Sequence, residues 1–150
     1  YNPKTEKNIR VEAGTPYRLK KISGGAMEFM LTIRQGEAER YGVKVLCDSK
    51  NGKGLDVVVD PGAKVLQVGV ARAPLELKEK EEIQLRIFID RSVVEVFAND
   101  RQAVAWQHVY DVGDVGVCLF SEGGAMEVPQ LQAWDMKAAL PEIAILSSEQ

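Results

Sequence analysis

The sequence predicts an all-β fold made of two antiparallel sheets packed face to face, a two-layer β-sandwich of the concanavalin-like or jelly-roll type. Three observations favour this fold. Short runs of aliphatic, β-branched and aromatic residues recur along the chain, turn-forming residues separate the runs, and helical periodicity is almost absent. Closely spaced strands without helices between them pair through hairpins and arches, and two layers bury their apolar sides.

Turn-forming residues bound the predicted strands. Gly24-Gly25, Pro61-Gly62 and Asn99-Asp100 tolerate positive φ or preset a turn, so they mark three of the boundaries. Pro129 lies within the last predicted strand and has no backbone N–H, so that strand is expected at a sheet edge or with a bulge. In chain order the strands are predicted at 17–22, 26–34, 41–47, 55–60, 64–70, 83–90, 93–98, 103–109, 114–121 and 125–136.

Length and composition indicate one ordinary globular domain. The 150 residues are 45% apolar and 27% charged. A chain of this length and apolar content can form a hydrophobic core without a disulfide bond or a metal ion. The formal net charge is −3 and no basic run occurs, so nucleic acid is not a predicted partner. No apolar run is long enough to span a bilayer, so no membrane partner is predicted. We assign the sandwich to residues 1–137 and a tail, with a short helix as one option, to 138–150.

Cys47 and Cys118 each lie in an apolar run and are expected to be buried thiols that behave as small apolar side chains. Two cysteines are too few for a disulfide framework. Whether the two form a disulfide stays open at this point. No Cys-x-x-Cys or histidine-rich spacing is found, so no metal and no other cofactor is predicted.

The most informative hairpin joins residues 85–90 to 93–98 through Arg91-Ser92. A two-residue turn pairs Asp90 with Val93, Phe88 with Glu95 and Arg86 with Phe97. This register places one wholly apolar set on the core side: Leu85, Ile87, Ile89, Val94, Val96 and Ala98. On the other side, Glu95 lies between Val93 and Phe97 and needs a hydrogen-bond donor, and Arg86 is expected as its diagonal partner at about 7–8 Å.

The same residues carry a resemblance to a known family. Residues 85–100 closely resemble the signature of the C-terminal domain of family 32 glycoside hydrolases, the family of invertases and fructan hydrolases. Residues 116–124 and 131–136, which include Trp134, look like the closing strands of that domain. The resemblance implies a non-catalytic β-sandwich cut from a longer polypeptide, with a five-bladed catalytic propeller as its partner. The family's Asn-Asp-Pro, Arg-Asp-Pro and Glu-Cys motifs are absent from this sequence, so no catalytic residue is assigned.

One segment departs from the family pattern. After the Asn-Asp turn, relatives carry Arg-Ile-Tyr-Pro, whereas residues 106–111 keep the tyrosine and lack the arginine and proline. Trp106 and His108 lie in this segment and are candidates for docking or sugar contact. Trp106 can stack on a sugar ring, but a core or propeller-facing position is the alternative. Trp134 is expected in the core.

The resemblance leaves two functions open. The chain is either a docking module that stabilises the propeller or a carbohydrate-binding module that recognises fructosyl units of a fructan or fructose. An unrelated lectin-like sandwich would explain the strands but not the match at 85–100. A flat apolar patch favours docking, whereas a small concavity with an arginine, a carboxylate and an aromatic ring favours sugar. The candidate residues for docking or sugar contact are Arg86, Asp90, Glu95, Trp106 and His108. Asp90 and Glu95 are also the one carboxylate pair whose spacing suits glycoside hydrolysis, but a regular hairpin offers no cleft for a sugar ring.

Overall fold

The computed structural model describes residues 3–48, 52–108 and 113–136. These residues form two six-stranded antiparallel sheets, and no helix occurs among them. The predicted two-layer all-β sandwich is therefore confirmed. The tail predicted at 138–150 lies outside the described residues.

The two sheets draw their strands from different parts of the chain. Sheet A has the order β1-β12-β3-β8-β9-β10, and sheet B has the order β2-β11-β4-β5-β6-β7. Strands distant in sequence thus become neighbours, such as β3 with β8 and β4 with β11. The strands are β1 (Lys4–Val11), β2 (Tyr17–Ser23), β3 (Ala26–Arg34), β4 (Arg40–Cys47), β5 (Leu55–Asp60), β6 (Val65–Val68), β7 (Ala71–Pro74), β8 (Ile83–Asp90), β9 (Val93–Ala98), β10 (Gln102–Gln107), β11 (Gly116–Glu122) and β12 (Met126–Asp135).

Two strands were not predicted from the sequence. β1 is mostly polar and contributes only Ile9 and Val11 to the core, since it lies at the edge of sheet A. β7 forms the edge of sheet B, and the predicted strand 64–70 ends instead at Val68, before a turn at Gly69. Edge strands bury fewer side chains, so their apolar pattern is weaker.

Pro129 is accommodated by a bulge. β12 lies between β1 and β3, so it is not an edge strand. Its pairing with β3 shifts between Glu127 and Gln130, which leaves one extra residue on β12. The bulge alternative is thus the correct one, because an extra residue removes the need for the missing N–H.

The core lies between the sheets and takes alternate residues from nearly every strand. Tyr41 of β4 is its largest fully buried side chain. Its Oη is buried without a hydrogen-bond partner among the described residues, and burial raises the pKa of Tyr41 to about 12. The hydroxyl therefore contributes a desolvation cost rather than a stabilising bond.

Asn99 organises the turn between β9 and β10. Asn99 and Asp100 have φ values of 49° and 53°, which confirms that this pair adopts the left-handed conformation. The backbone N–H of Gln84 donates to Asn99 Oδ1 at 2.6 Å, and Asn99 Nδ2 donates to the Glu82 carbonyl at 3.3 Å. The asparagine therefore ties the turn to the start of β8.

Candidate functional site

The β8–β9 hairpin has the predicted register. Asp90 lies opposite Val93, Phe88 opposite Glu95 and Arg86 opposite Phe97. Arg91 turns the chain with a φ of 58°, and its N–H donates to the Gly25 carbonyl at 2.5 Å. The residues predicted for the core side are all fully buried: Leu85, Ile87, Ile89, Val94, Val96 and Ala98.

The outer side of sheet A carries a group of apolar side chains, here called the aromatic face: Met30, Phe88, Val93, Phe97 and Trp134. Phe88 and Phe97 meet edge to face, with ring centroids 5.8 Å apart and planes at 87°. Val93 is 45% exposed, and the other four are partly exposed. Apolar side chains thus spread over strands β12, β3, β8 and β9 on a side where alternation usually places polar residues.

Trp134 was expected in the core, and this expectation is wrong. Trp134 lies opposite Glu28, which in turn lies opposite Phe88, so all three share one row on the outer side. Its neighbours in the strand, Ala133 and Leu131, hold the core side instead. An apolar residue at the end of a strand does not reveal its side until the register is known.

Arg86 does not pair with Glu95 as predicted. Its Nε lies 3.6 Å from Glu28 Oε2, and its Nη2 lies 3.6 Å from Met30 Sδ. β3 flanks β8 on the side away from β9, so Arg86 has diagonal carboxylates on both sides and contacts the one on β3. Glu28 was missed because the sequence does not reveal which strand lies beside β8.

The two candidate carboxylates, Asp90 and Glu95, differ in exposure. Glu95 is exposed, so water solvates its carboxylate, and Asp90 is partly buried at the hairpin end. They occupy diagonal positions on the outer side, as predicted. Neither lines the concavities found on sheet B.

Trp106 and His108 are not part of the aromatic face. Trp106 lies opposite Val94 on the core side of β10 and packs against the core. A Cβ on Gly69 would come within 2.9 Å of its indole ring, so Trp106 covers the β6–β7 turn and bridges the two sheets. His108 follows β10, is partly buried, and donates its backbone N–H to Ser92 at 2.7 Å.

The outer side of sheet B holds a concavity of about 320 Å³ that sequence reasoning missed. We call it the charged groove and define it by Arg40, Lys44, Asp56, Phe120 and Glu122. These residues come from β4, β5 and β11, and each is unremarkable within its own strand. No local pattern could have found the groove, because only the pairing of these strands brings its residues together.

Ion pairs cross the charged groove. Arg40 lies 3.2 Å from Glu122 and 3.3 Å from Asp60, so one guanidinium bridges two strands. Lys44 Nζ lies 3.7 Å from Asp56 and donates to the Gly52 carbonyl at 2.6 Å. Charges of both signs therefore lie beside the partly exposed ring of Phe120.

Gly42 lies between Arg40 and Lys44 on the outer side of β4. A Cβ at this position would overlap the backbone carbonyl oxygen of Val57 on β5. The sheet therefore needs a glycine here, since the obstacle is backbone and not a flexible side chain.

Within the described residues, no group of three or more histidine, cysteine or acidic side chains is arranged to hold a metal ion. The same part of the chain contains no helix long and apolar enough to cross a membrane.

Known proteins similar to this chain point to one family. The sequence profile described as "Glycosyl hydrolases family 32 C terminal" matches residues 2–135. Levanase of Bacillus sp. (strain L7) is 33% identical over 118 residues, which are 73% of this chain and 12% of that protein. Levanase of Bacillus subtilis (strain 168) is 30% identical over 148 residues, 91% of this chain and 21% of that protein. Fructan 1-exohydrolase w3 of Triticum aestivum is 40% identical over 70 residues, 43% of this chain and 12% of that protein.

Solved structures share the fold. Fructan 1-exohydrolase IIa of Cichorium intybus superposes with a TM-score of 0.77 over 93% of this chain and 36% of that chain, at 13% identity. A fructosyltransferase from A. japonicus superposes with a TM-score of 0.73 over 94% of this chain and 27% of that chain, at 15% identity. The chain thus spans well under half the length of these proteins, and it contains the C-terminal domain without a catalytic one.

Proposed function

Because the chain belongs to the C-terminal domains of family 32 glycosyl hydrolases, we propose that it is the non-catalytic β-sandwich of a fructan- or sucrose-hydrolysing enzyme. Its role is to pack against the catalytic propeller and to stabilise it. The substrate class follows from the relatives, which are named levanases and fructan exohydrolases.

The aromatic face is the observation that carries this proposal. An antiparallel sheet that faces water on one side usually alternates apolar and polar residues. On sheet A the outward positions include Phe88 and Phe97 in contact with each other and Val93 at 45% exposure. Burial of such side chains against a second domain stabilises both, at about 25 cal/mol for each Å² removed from water.

The Arg86–Glu28 ion pair supports docking as well. The two side chains are 49% and 26% exposed and lie among the apolar residues of the aromatic face. Arginine and aromatic residues are enriched at the centres of protein interfaces, where a charge that enters already paired costs less to desolvate.

The test compares the whole enzyme that contains this chain with the chain alone. Phe88→Ser removes apolar area from the aromatic face, and Phe120→Ser in the charged groove is the matched control. We expect Phe88→Ser to lower the melting temperature of the whole enzyme by about 4 °C more than that of the isolated chain. Phe120→Ser should lower both by the same amount.

Two results would argue against docking through this face. Equal losses for Phe88→Ser in the whole enzyme and in the isolated chain would show that no second domain covers Phe88. A dimer of the whole enzyme that dissociates on Phe88→Ser, seen by sedimentation, would assign the face to a second copy instead.

A second candidate function is carbohydrate binding, and the charged groove favours it. The groove combines an arginine, carboxylates and an aromatic ring in one concavity, the set that hydrogen-bonds sugar hydroxyls and stacks on a ring. On this proposal, fructosyl units contact Phe120, Arg40 and Glu122. They do not contact the residues that the sequence predicts for sugar contact, such as Arg86, Glu95 and Trp106.

Calorimetry with levan, inulin and fructose tests this candidate. We expect saturable heat that Phe120→Ala and Arg40→Ala abolish, while Arg86→Ala and Glu95→Gln leave it unchanged. Loss of the heat only on changing Arg86 or Glu95 would move the sugar site to sheet A. Absence of heat at millimolar sugar would argue against carbohydrate binding and leave docking as the remaining function.

A further inference from the structure

Two thiols from distant parts of the chain meet beside the charged groove. Cys47 is the last residue of β4, and Cys118 lies in the neighbouring strand β11, 71 residues later. Their Sγ atoms are 3.6 Å apart, and both are free thiols in this structure. We propose that Cys47 and Cys118 are a redox-active pair that closes into a disulfide by exchange with small disulfides such as oxidised glutathione.

A bulge in β4 brings the two thiols to the same side. Cys118 lies opposite Lys44, whereas Gly116 lies opposite Cys47, so β4 carries one extra residue between the two pairs. Leu46 has a φ of 51° and packs into the core with 1% exposure. Without the extra residue, alternation would turn Leu46 outward and Cys47 inward. Because of the bulge, Cys47 lines the groove with Cys118.

The separation of the sulfur atoms allows closure. A disulfide bond is about 2.05 Å long, so the two Sγ atoms must approach each other by about 1.6 Å. We expect rotation of the two side chains to bring the sulfur atoms together, since both residues lie on hydrogen-bonded neighbouring strands. The strands themselves already hold the two residues together.

Arg18 places a positive charge beside both sulfur atoms. Its Nη1 lies 3.8 Å from Cys47 Sγ and 3.9 Å from Cys118 Sγ, and it donates to the Asp48 carbonyl at 3.0 Å. A neighbouring cation favours the thiolate, which is the nucleophile in disulfide exchange. Burial is the larger influence on Cys47 and raises the pKa of its thiol, against the opposing effect of Arg18. Cys118 is partly exposed in the groove and is therefore the sulfur that a reagent reaches first.

The exchange balances in two steps. The Cys118 thiolate attacks one sulfur of the small disulfide, forms a mixed disulfide and releases one small thiolate. Cys47 then loses its proton to solvent, and its sulfur attacks the Cys118 sulfur and releases the second small thiolate. Two protein thiols are oxidised by two electrons in total, and one small disulfide is reduced to two thiols.

The test treats the full chain with oxidised glutathione and follows mass, thiol content and stability. We expect both thiols to disappear, a mass loss of about 2 Da for the two hydrogen atoms, and full reversal with dithiothreitol. Peptide mapping without reduction should join the segment of Cys47 to that of Cys118. Because the bond closes a long loop, the melting temperature should rise by about 5–15 °C.

Matched variants separate the pair from an ordinary exposed thiol. Cys47→Ser should retain a stable glutathione adduct on Cys118, because no second thiol displaces it, and should show no rise in melting temperature. Arg18→Gln should slow thiol loss several-fold. Three results would each overturn the proposal: a stable adduct on the unsubstituted chain, disulfide-linked dimers, or two thiols that survive treatment. Peptide mapping of the unsubstituted chain still decides the question if a variant does not fold.

Discussion

The aromatic face of sheet A and the charged groove of sheet B occupy equivalent places in the sandwich, yet they differ in chemistry. Each is the outward side of a six-stranded antiparallel sheet. The first presents paired phenylalanines and a tryptophan, whereas the second presents cations and carboxylates around a concavity. Both sheets place apolar side chains in the shared core, so the two sheets differ mainly on their outward sides. The outward residues therefore decide which kind of molecule each sheet can bind.

The largest expected effect tests the glycine that lies between Arg40 and Lys44 on the outer side of β4. Gly42→Ala forces a Cβ against the Val57 carbonyl and should lower the free energy of unfolding by about 3 kcal/mol, as overpacking against backbone does. Ala105→Val, on an exposed outward position of sheet A, should change it by less than about 0.5 kcal/mol. Urea unfolding of both variants makes the measurement. Similar small losses for the two would mean that sheet B does not depend on its glycine.

The next largest effect is a loss of stability at high pH that comes from Tyr41, on the inner side of sheet B. Tyr41 has a pKa raised to about 12 by burial, against an ordinary value of 10.0. The unfolded chain therefore loses this proton first as the pH rises, so stability is full below pH 10 and falls above it. The expected loss is about 2 kcal/mol between pH 10 and 12.

Tyr41→Phe is the control for this titration. It lacks the ionising hydroxyl, so its stability should fall less over the same pH range, and at pH 7 it should be at least as stable as the unsubstituted chain. Parallel pH profiles for the two proteins would show that Tyr41 is not the group responsible.

A smaller effect compares the aromatic rings of the two outer sides. Phe97→Ala in the isolated chain removes an edge-to-face partner of Phe88 and should cost about 1.5 kcal/mol. Phe120→Ala should cost less, since the described residues give it no such ring contact. A double-mutant cycle of Phe88 and Phe97 should yield a coupling of about 1 kcal/mol, and a coupling near zero would contradict the ring geometry.

The smallest effect compares the ion pairs. Arg40 bridges Asp60 and Glu122 at 3.3 and 3.2 Å, while Arg86 lies 3.6 Å from Glu28. All of these side chains are partly exposed, so double-mutant cycles should give about 0.5 kcal/mol for Arg40 with Glu122 and less for Arg86 with Glu28. Both couplings should shrink in 1 M salt. A larger coupling at Arg86 would indicate that the aromatic face shields its charges more than the groove does.

The sequence predicted the strands and the register of the β8–β9 hairpin correctly, but it predicted only some of the contacts at the candidate sites. The register of Arg86 with Phe97 was predictable because a two-residue turn joins the strands and this register keeps Glu95 off the side that holds Leu85, Ile87 and Ile89. The partner of Arg86 was not predictable, because Glu28 belongs to a strand more than fifty residues earlier. For Trp106 the sequence left open both sugar contact and a core or propeller-facing position, and the pairing of β10 with β9 turns it toward the core.

The sequence by itself determined most of the strands and, in the β8–β9 hairpin, which residues are buried, because alternation along a strand is a local property. It also determined the family, since residues 85–100 lie in one continuous hairpin. Only the tertiary structure decided which strands are neighbours, and with them the charged groove, the Arg86–Glu28 pair and the meeting of Cys47 with Cys118. The reason is physical: hydrophobic burial fixes the side on which a residue lies, whereas contacts across strands depend on pairings between segments far apart in the chain.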